Sequence, residues 1–155
     1  MFTSPKSIRK IERIQARALR LLLDDYHSDY SELLKKSNKS PVTLRLHRAL
    51  ALEIYKTLND LNPSYMKDIF IKNSRENSRC YNDLIKQGYK GITYGRNSLR
   101  EIAPLIWNNL SADLKTAPSL FVFKNLIKTW TDFKCSCRMC KTMGYFSDPN
   151  YDTYF

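Results

Sequence analysis

Between Lys6 and Leu23 the chain segregates apolar from basic side chains, and that segregation limits what it can fold into more than any other feature. At about 100° per residue, Ile8, Ile11, Ile14, Ala18, Leu19, Leu21 and Leu22 fall toward one side of a helix. Lys6, Arg9, Lys10, Arg13, Arg17 and Arg20 fall toward the other, with Glu12 the only acid in the span. A helix written this way is expected to dock its apolar side on a core and to offer a row of cations to something anionic. The pattern points to a polyanion-facing helical module, not to an enzyme.

At 155 residues and 43% hydrophobic content the chain is long enough and greasy enough for one domain with its own core. Twenty-six Lys and Arg against fifteen Asp and Glu leave a net charge of +11, which favours nucleic acid or an anionic surface as partner. No apolar run approaches the roughly 20 residues of a membrane span. The basic start lacks the unbroken apolar stretch of a signal peptide. These features point to an intracellular protein, cytoplasmic or nuclear, with no membrane partner.

Three of the four cysteines, Cys135, Cys137 and Cys140, crowd into six residues, and Cys80 stands alone. In a reducing compartment such crowding reads as metal binding before it reads as bridging. Structural zinc takes four thiolate or imidazole ligands in a tetrahedron. Cys137-x-x-Cys140 has knuckle spacing, Cys135 adds a third thiolate, and Cys80 is the candidate fourth. His27, His47 or a residue from a partner chain are alternatives, and free thiols are the plainer reading. Lys134, Arg138 and Lys141 flank the cluster, as a knuckle touching nucleic acid requires.

The remaining periodicity predicts a mainly α fold of five or six helices. Asp24-Asp25-Tyr26-His27-Ser28 breaks the first helix, and Asp29 can cap a second from Tyr30 to Lys36 with Tyr30, Leu33 and Leu34 inward. Ser40-Pro41 opens a third with Pro at its first position. Its apolar residues Val42, Leu46, Ala49, Leu50, Ile54 and Leu58 recur at core spacing, with Arg45, Arg48 and Lys56 outside the stripe. Asn62-Pro63 ends it, and Ser64 starts a short helix through Phe70. From Lys72 to Gly95 the period is lost, so that span reads as a long loop with a candidate short hairpin at Tyr89 to Tyr94. Asn97-Ser98 caps a helix through Leu110 that Pro104 is expected to kink or split. Ser119 caps the last clear helix, with Leu120, Phe123, Leu126, Ile127 and Trp130 apolar. The predicted core comprises Leu22, Leu50, Ile54, Ile106, Trp107, Phe123 and Leu126 in a helical domain spanning 1–131. Residues 132–155 read as an irregular, partly disordered tail.

Lys10-Ile11-Glu12-Arg13-Ile14-Gln15-Ala16-Arg17-Ala18-Leu19-Arg20 resembles the region downstream of the polymerase in non-LTR (LINE-type, jockey-like) retrotransposon reverse transcriptases. The resemblance continues in order through Asp25-Tyr26, Tyr30-Ser31-Glu32-Leu33-Leu34, and Arg48-Ala49-Leu50-Ala51-Leu52-Glu53-Ile54-Tyr55-Lys56 with Asn62-Pro63-Ser64-Tyr65. Tyr94-Gly95-Arg96-Asn97-Ser98, Ala103-Pro104, Trp107-Asn108-Asn109-Leu110, Phe123-Lys124 and the closing cysteine cluster complete it. It covers roughly residues 8 to 140, and Ser111 departs from it where the family usually has Pro. The resemblance implies a segment that follows the polymerase thumb and helps hold template RNA and target DNA. The catalytic fingers and palm are not in this sequence, and the upstream reverse transcriptase domain is an implied partner.

Leu22-Leu23-Asp24-Asp25 superficially resembles the Asp-Asp turn that holds catalytic magnesium in reverse transcriptases. Two-metal chemistry needs those carboxylates on a rigid hairpin beside a third, and here they end an amphipathic helix, so a polar helix stop is the reading. The two histidines have no nucleophile and orienting partner around them, and His47 reads as a partly buried or surface residue. The glycines are too sparse for a phosphate loop. Trp107 and Trp130 read as core. Tyr81, Tyr89 and Tyr94, interleaved with Lys86, Lys90 and Arg96, suit either stacking on unpaired bases or plain loop packing. Arg9, Lys10, Arg13, Arg17 and Arg20, with Arg138, are the candidate phosphate contacts, because the guanidinium fork suits phosphate and four arginines on one face can follow a backbone. The competing reading is a structural or protein-interaction remnant that packed against the missing thumb. Its sign would be a large exposed apolar patch beside the basic face.

Overall fold

The computed structural model describes residues 5–73, 82–87 and 98–131, with Pro5 and Lys6 as backbone alone. Among the described residues the chain is mainly helical: six α-helices, one 3-10 helix and one two-stranded ribbon. They fall into two compact units, one ending at Arg45 and the other beginning at Leu46.

In the first unit, α1 (Pro5–Leu23) opens on a proline, whose missing N–H is no loss at a helix start, and continues through strong helix formers. It stops where Asp24 turns left-handed at φ 50°, and the Asp25 N–H reaches back to the Arg20 carbonyl at 3.1 Å. That is the six-to-one bond of a Schellman stop. The second helix, α2 (Tyr30–Lys36), occupies the predicted residues, and the Asp29 carbonyl rather than its side chain accepts from the Leu33 N–H. Tyr30, Leu33 and Leu34 are buried as expected, clustering with Ala16 and Leu19 of α1 and half-buried Leu23. Burying each large aliphatic there contributes about 1.5–3 kcal/mol. Asn38, at φ 52°, ends α2 through bonds from the Asn38 and Lys39 N–H groups to the Lys35 and Leu34 carbonyls.

The third helix, α3 (Val42–Leu58), begins one residue later than predicted. Pro41 precedes it, and its carbonyl accepts the first helical bond from the Arg45 N–H at 3.1 Å.

In the second unit the inner stripe of α3 is His47, Ala51, Ile54 and Tyr55, with Leu50 and Leu58 half-buried. Leu46 and Ala49, predicted inward, are exposed. The stripe is rotated because His47 and Tyr55, neither of them in the predicted stripe, face the core. His47 is buried, correcting the partly buried or surface reading. Tyr55 stacks on Phe123 with ring centroids 4.3 Å apart, and its hydroxyl donates to the Ala117 carbonyl at 2.8 Å. Asp60, at φ 61°, closes α3 with the Leu61 N–H on the Lys56 carbonyl.

A 3-10 helix (Ser64–Ile69) leads into β1 (Ile71–Lys72), which pairs antiparallel with β2 (Leu84–Ile85), Ile71 opposite Ile85 and Lys72 opposite Leu84. Part of the span predicted to be a structureless loop is therefore a ribbon. Two-residue strands carry no readable alternation. The candidate hairpin at Tyr89 to Tyr94 lies outside the described residues.

The next helix, α4 (Leu99–Asn108), runs unbroken through Pro104 and stops two residues short of Leu110. Pro104 gives up one backbone bond but is buried with its neighbours Ile102, Ala103, Ile106 and Trp107, and that packing holds the helix together. The short α5 (Ala112–Lys115), not predicted, starts at Ser111. The last helix, α6 (Leu120–Thr129), is capped as predicted by Ser119, whose hydroxyl accepts from the Val122 N–H at 3.3 Å.

Ile54, Ile106, Trp107 and Phe123 are buried as predicted, and Trp107 and Phe123 stack at 6.4 Å. Leu50 is half-buried, and two predicted core residues are exposed. Leu126 is exposed because Phe123, Ile127 and Trp130, at i, i+4 and i+7, already fill the inner face of α6. Leu22 is 74% exposed, and its position belongs with the candidate interface.

Candidate nucleic-acid interface

The candidate interface lies on α1, which has three faces rather than the predicted two. The buried face is Ile8, Glu12, Ala16 and Leu19, at spacings of four, four and three. The exposed basic face follows it around the helix with Arg9, Lys10, Arg13 and Arg17, while Arg20 is half-buried at the boundary. The remaining arc is apolar and faces outward: Ile11, Ile14, Ala18, Leu21 and Leu22. Most of the side predicted to dock is therefore outside.

Glu12 explains the rotation. It is the only acid in α1, and it is wholly buried. One carboxylate oxygen accepts the Thr43 N–H and hydroxyl, each at 3.2 Å, and the other accepts the Tyr30 hydroxyl. Thr43 lies in the first turn of α3, whose N–H groups have no helical acceptor. The Glu12 side chain thus caps α3 from α1, where a negative group is favoured. Three hydrogen bonds offset the cost of removing a carboxylate from water. Gln15 adds a second tie, donating to the Ser40 carbonyl at 3.4 Å and accepting from the Arg45 guanidinium.

The electrostatic consequence is direct. With its one acid turned inward, the outer basic face of α1 carries no internal counter-charge. Among the described residues, Lys10, Arg13 and Arg17 form no ion pair. Residues at three- and four-residue spacing have Cβ atoms about 5–6 Å apart, so these cations form one row along the helix.

Asp24 and Asp25 are occupied in the stop that follows. Asp24 holds the left-handed position, and Asp25 accepts from the His27 and Ser28 N–H groups, the Ser28 hydroxyl and the Lys36 ammonium. The Lys36 ammonium, helped by Ser28, holds the Asp25 carboxyl well below the usual carboxylate range, and Asp25 in turn raises Lys36. This is the polar helix stop expected from the sequence.

Of the other predicted site residues, Cys80, Cys135, Cys137, Cys140 and Arg138 lie outside the described residues, as do Tyr81, Tyr89, Tyr94, Lys90 and Arg96. Among the described residues no cluster of three or more His, Cys, Asp or Glu is arranged to hold a metal ion. His27 is exposed. Lys86 pairs with Glu101 at 3.5 Å. Trp107 and Trp130 are buried as predicted, and Trp107 has a further part. Its indole N–H donates to the Asn82 carbonyl at 2.9 Å, and the Asn108 amide exchanges two bonds with the Leu84 backbone, at 2.8 and 3.0 Å. Together they clamp β2 onto α4, which gives Trp107-Asn108 a structural reason.

Arg48 is a cation the sequence did not single out. Its guanidinium donates twice to the Trp130 carbonyl, at 3.1 and 2.7 Å, so it caps the C-terminus of α6 where positive charge is favoured. Burial lowers its affinity for the proton.

Comparison of the chain with protein-family models, with curated proteins and with solved structures finds no match. Among the described residues no helix is long and apolar enough to cross a membrane.

Proposed function

We propose that this chain is a non-catalytic nucleic-acid-binding module that holds RNA or DNA through the basic face of α1, without reading sequence. The observation that carries the proposal is the inward turn of Glu12, which leaves Lys10, Arg13 and Arg17 exposed with no acid on their face. Contacts from such a row go to phosphates and fix orientation rather than sequence. Its origin in the C-terminal region of a retrotransposon reverse transcriptase, with the upstream polymerase as natural partner, rests on the sequence resemblance. Zinc held by Cys135, Cys137 and Cys140 with Cys80 belongs to the same reading.

Fluorescence anisotropy with an RNA hairpin, duplex DNA and single strands across a salt series tests it. Affinity is expected to fall steeply with salt. Arg13→Glu with Arg17→Glu should weaken binding to all probes alike and flatten the salt slope by about two phosphate contacts. Unchanged affinity in that variant would remove α1 from the interface.

A second reading, a protein-interaction surface, is favoured by the outward apolar arc. Ile14, Leu21 and Leu22 are 66%, 70% and 74% exposed beside the cations.

A further inference from the structure

The outward arc of α1 has a spacing that says more than apolarity. Ile11, Ile14, Ala18 and Leu21 follow one another by three, four and three residues. That is the a/d repeat by which one helix packs along another. Leu22 widens the strip, and Ala18 leaves a notch in its middle where a partner's larger side chain can enter. Ile14, Leu21 and Leu22 are each more than half exposed, and contiguous exposed apolar side chains rimmed by polar residues are the mark of an interaction site.

The flanks of the strip are unequal. On one side Gln15 is held by Ser40 and Arg45 within its own unit. On the other stand Lys10 and Arg17, exposed, each immediately preceding an a position. Those are the positions that choose a partner's charge in paired helices. A second copy laid antiparallel would set Lys10 and Arg17 against themselves.

We propose that this strip is the docking site for an amphipathic helix of another protein, with aliphatic residues at three- and four-residue spacing and Asp or Glu along the flank that meets Lys10 and Arg17. The proposal deepens the protein-interaction reading and rests on it. It adds the partner's chemistry.

The test uses the full chain and two synthetic helical peptides. Both carry the same leucine a/d repeat over about three heptads, with flanking positions all Glu in one and all Lys in the other. The Glu peptide is expected to bind at least about tenfold tighter than the Lys peptide. Lys10→Glu with Arg17→Glu should reverse that preference, and Ile14→Asp with Leu21→Asp should remove binding of both. Circular dichroism of each variant checks the fold, and Ile14→Ser with Leu21→Ser repeats the test without added charge. Equal binding of the two peptides would overturn the acidic partner and leave the interaction reading standing. Binding of neither would overturn both. Loss of RNA affinity in Ile14→Ser with Leu21→Ser would assign the strip to nucleic acid. A dimer seen by sedimentation and lost in that variant would assign it to a second copy of the chain. Either result would overturn the proposal.

Discussion

The units on either side of the Arg45–Leu46 division treat their charged groups differently. In the second, Lys56, Lys67, Lys86 and Lys115 each face an acid, and Lys115 also donates to the Asn108 carbonyl while it pairs with Asp83 at 2.7 Å. Its centre is aromatic, with Phe123 stacked on Tyr55 and Trp107. In the first, a carboxylate sits in the interior as a connector, and the cations and aliphatics of α1 face outward. The lesson is that burying one acid changes two surfaces at once. Glu12 joins α1, α2 and the start of α3, and its removal from the outer face converts a mixed-charge helix into a cationic one. The second unit sets several of its lysines against acids, whereas the first gathers its outward cations on one face of α1 with an apolar arc beside them.

The sharpest break of that contrast is at the two centres. Phe123→Ala removes a fully buried ring stacked on two others and should cost about 3–5 kcal/mol. Urea unfolding would read it as a lower midpoint with the slope unchanged. A cost under about 1 kcal/mol would mean that the aromatic stack is not the core of the second unit.

Glu12→Met should cost less, about 2–3 kcal/mol, and for a different reason. The apolar volume is kept, but the Tyr30 hydroxyl and the Thr43 donors lose their acceptor inside the protein. Adding Tyr30→Phe should therefore recover part of the loss, because removing both members of a buried polar pair is far milder than removing one. Strict additivity of the two substitutions in a double-mutant cycle would show that the carboxylate and the hydroxyl are not coupled.

The helix-wheel period located these regions but not their insides. It placed α2 with its three buried residues, the Ser119 cap and the buried positions Ile54, Ile106, Trp107 and Phe123. It failed on α1 because a wheel ranks residues by polarity, and the position that decides the orientation is a glutamate. Its partners Tyr30 and Thr43 lie 18 and 31 residues away. No local pattern reports such distant acceptor–donor matches. The same limit hid the β1–β2 ribbon, which is held by Trp107 and Asn108 rather than by strand propensity. The cationic row itself was legible, since exposure of arginine is the default. That its only acid would be withdrawn was not.

The smallest prediction concerns how both units stop their helices. Asp24, Asn38 and Asp60 all hold left-handed backbone where glycine is the usual residue. A side chain there is tolerated for Asn and Asp at some cost, which glycine does not pay. Asn38→Gly should raise stability by about 0.5 kcal/mol, because the Schellman bonds at Asn38 and Lys39 come from backbone N–H groups and survive the change. Asp60→Gly should gain less, because Asp60 also pairs with Lys67 at 2.6 Å, and an exposed pair of that kind contributes about 0–1 kcal/mol. Thermal melts at low and high salt separate the two effects. Salt should narrow the gap between the glycine variants by screening the Lys67 pair in the parent, and a gap that salt leaves unchanged would show that the helix stops differ in backbone strain instead.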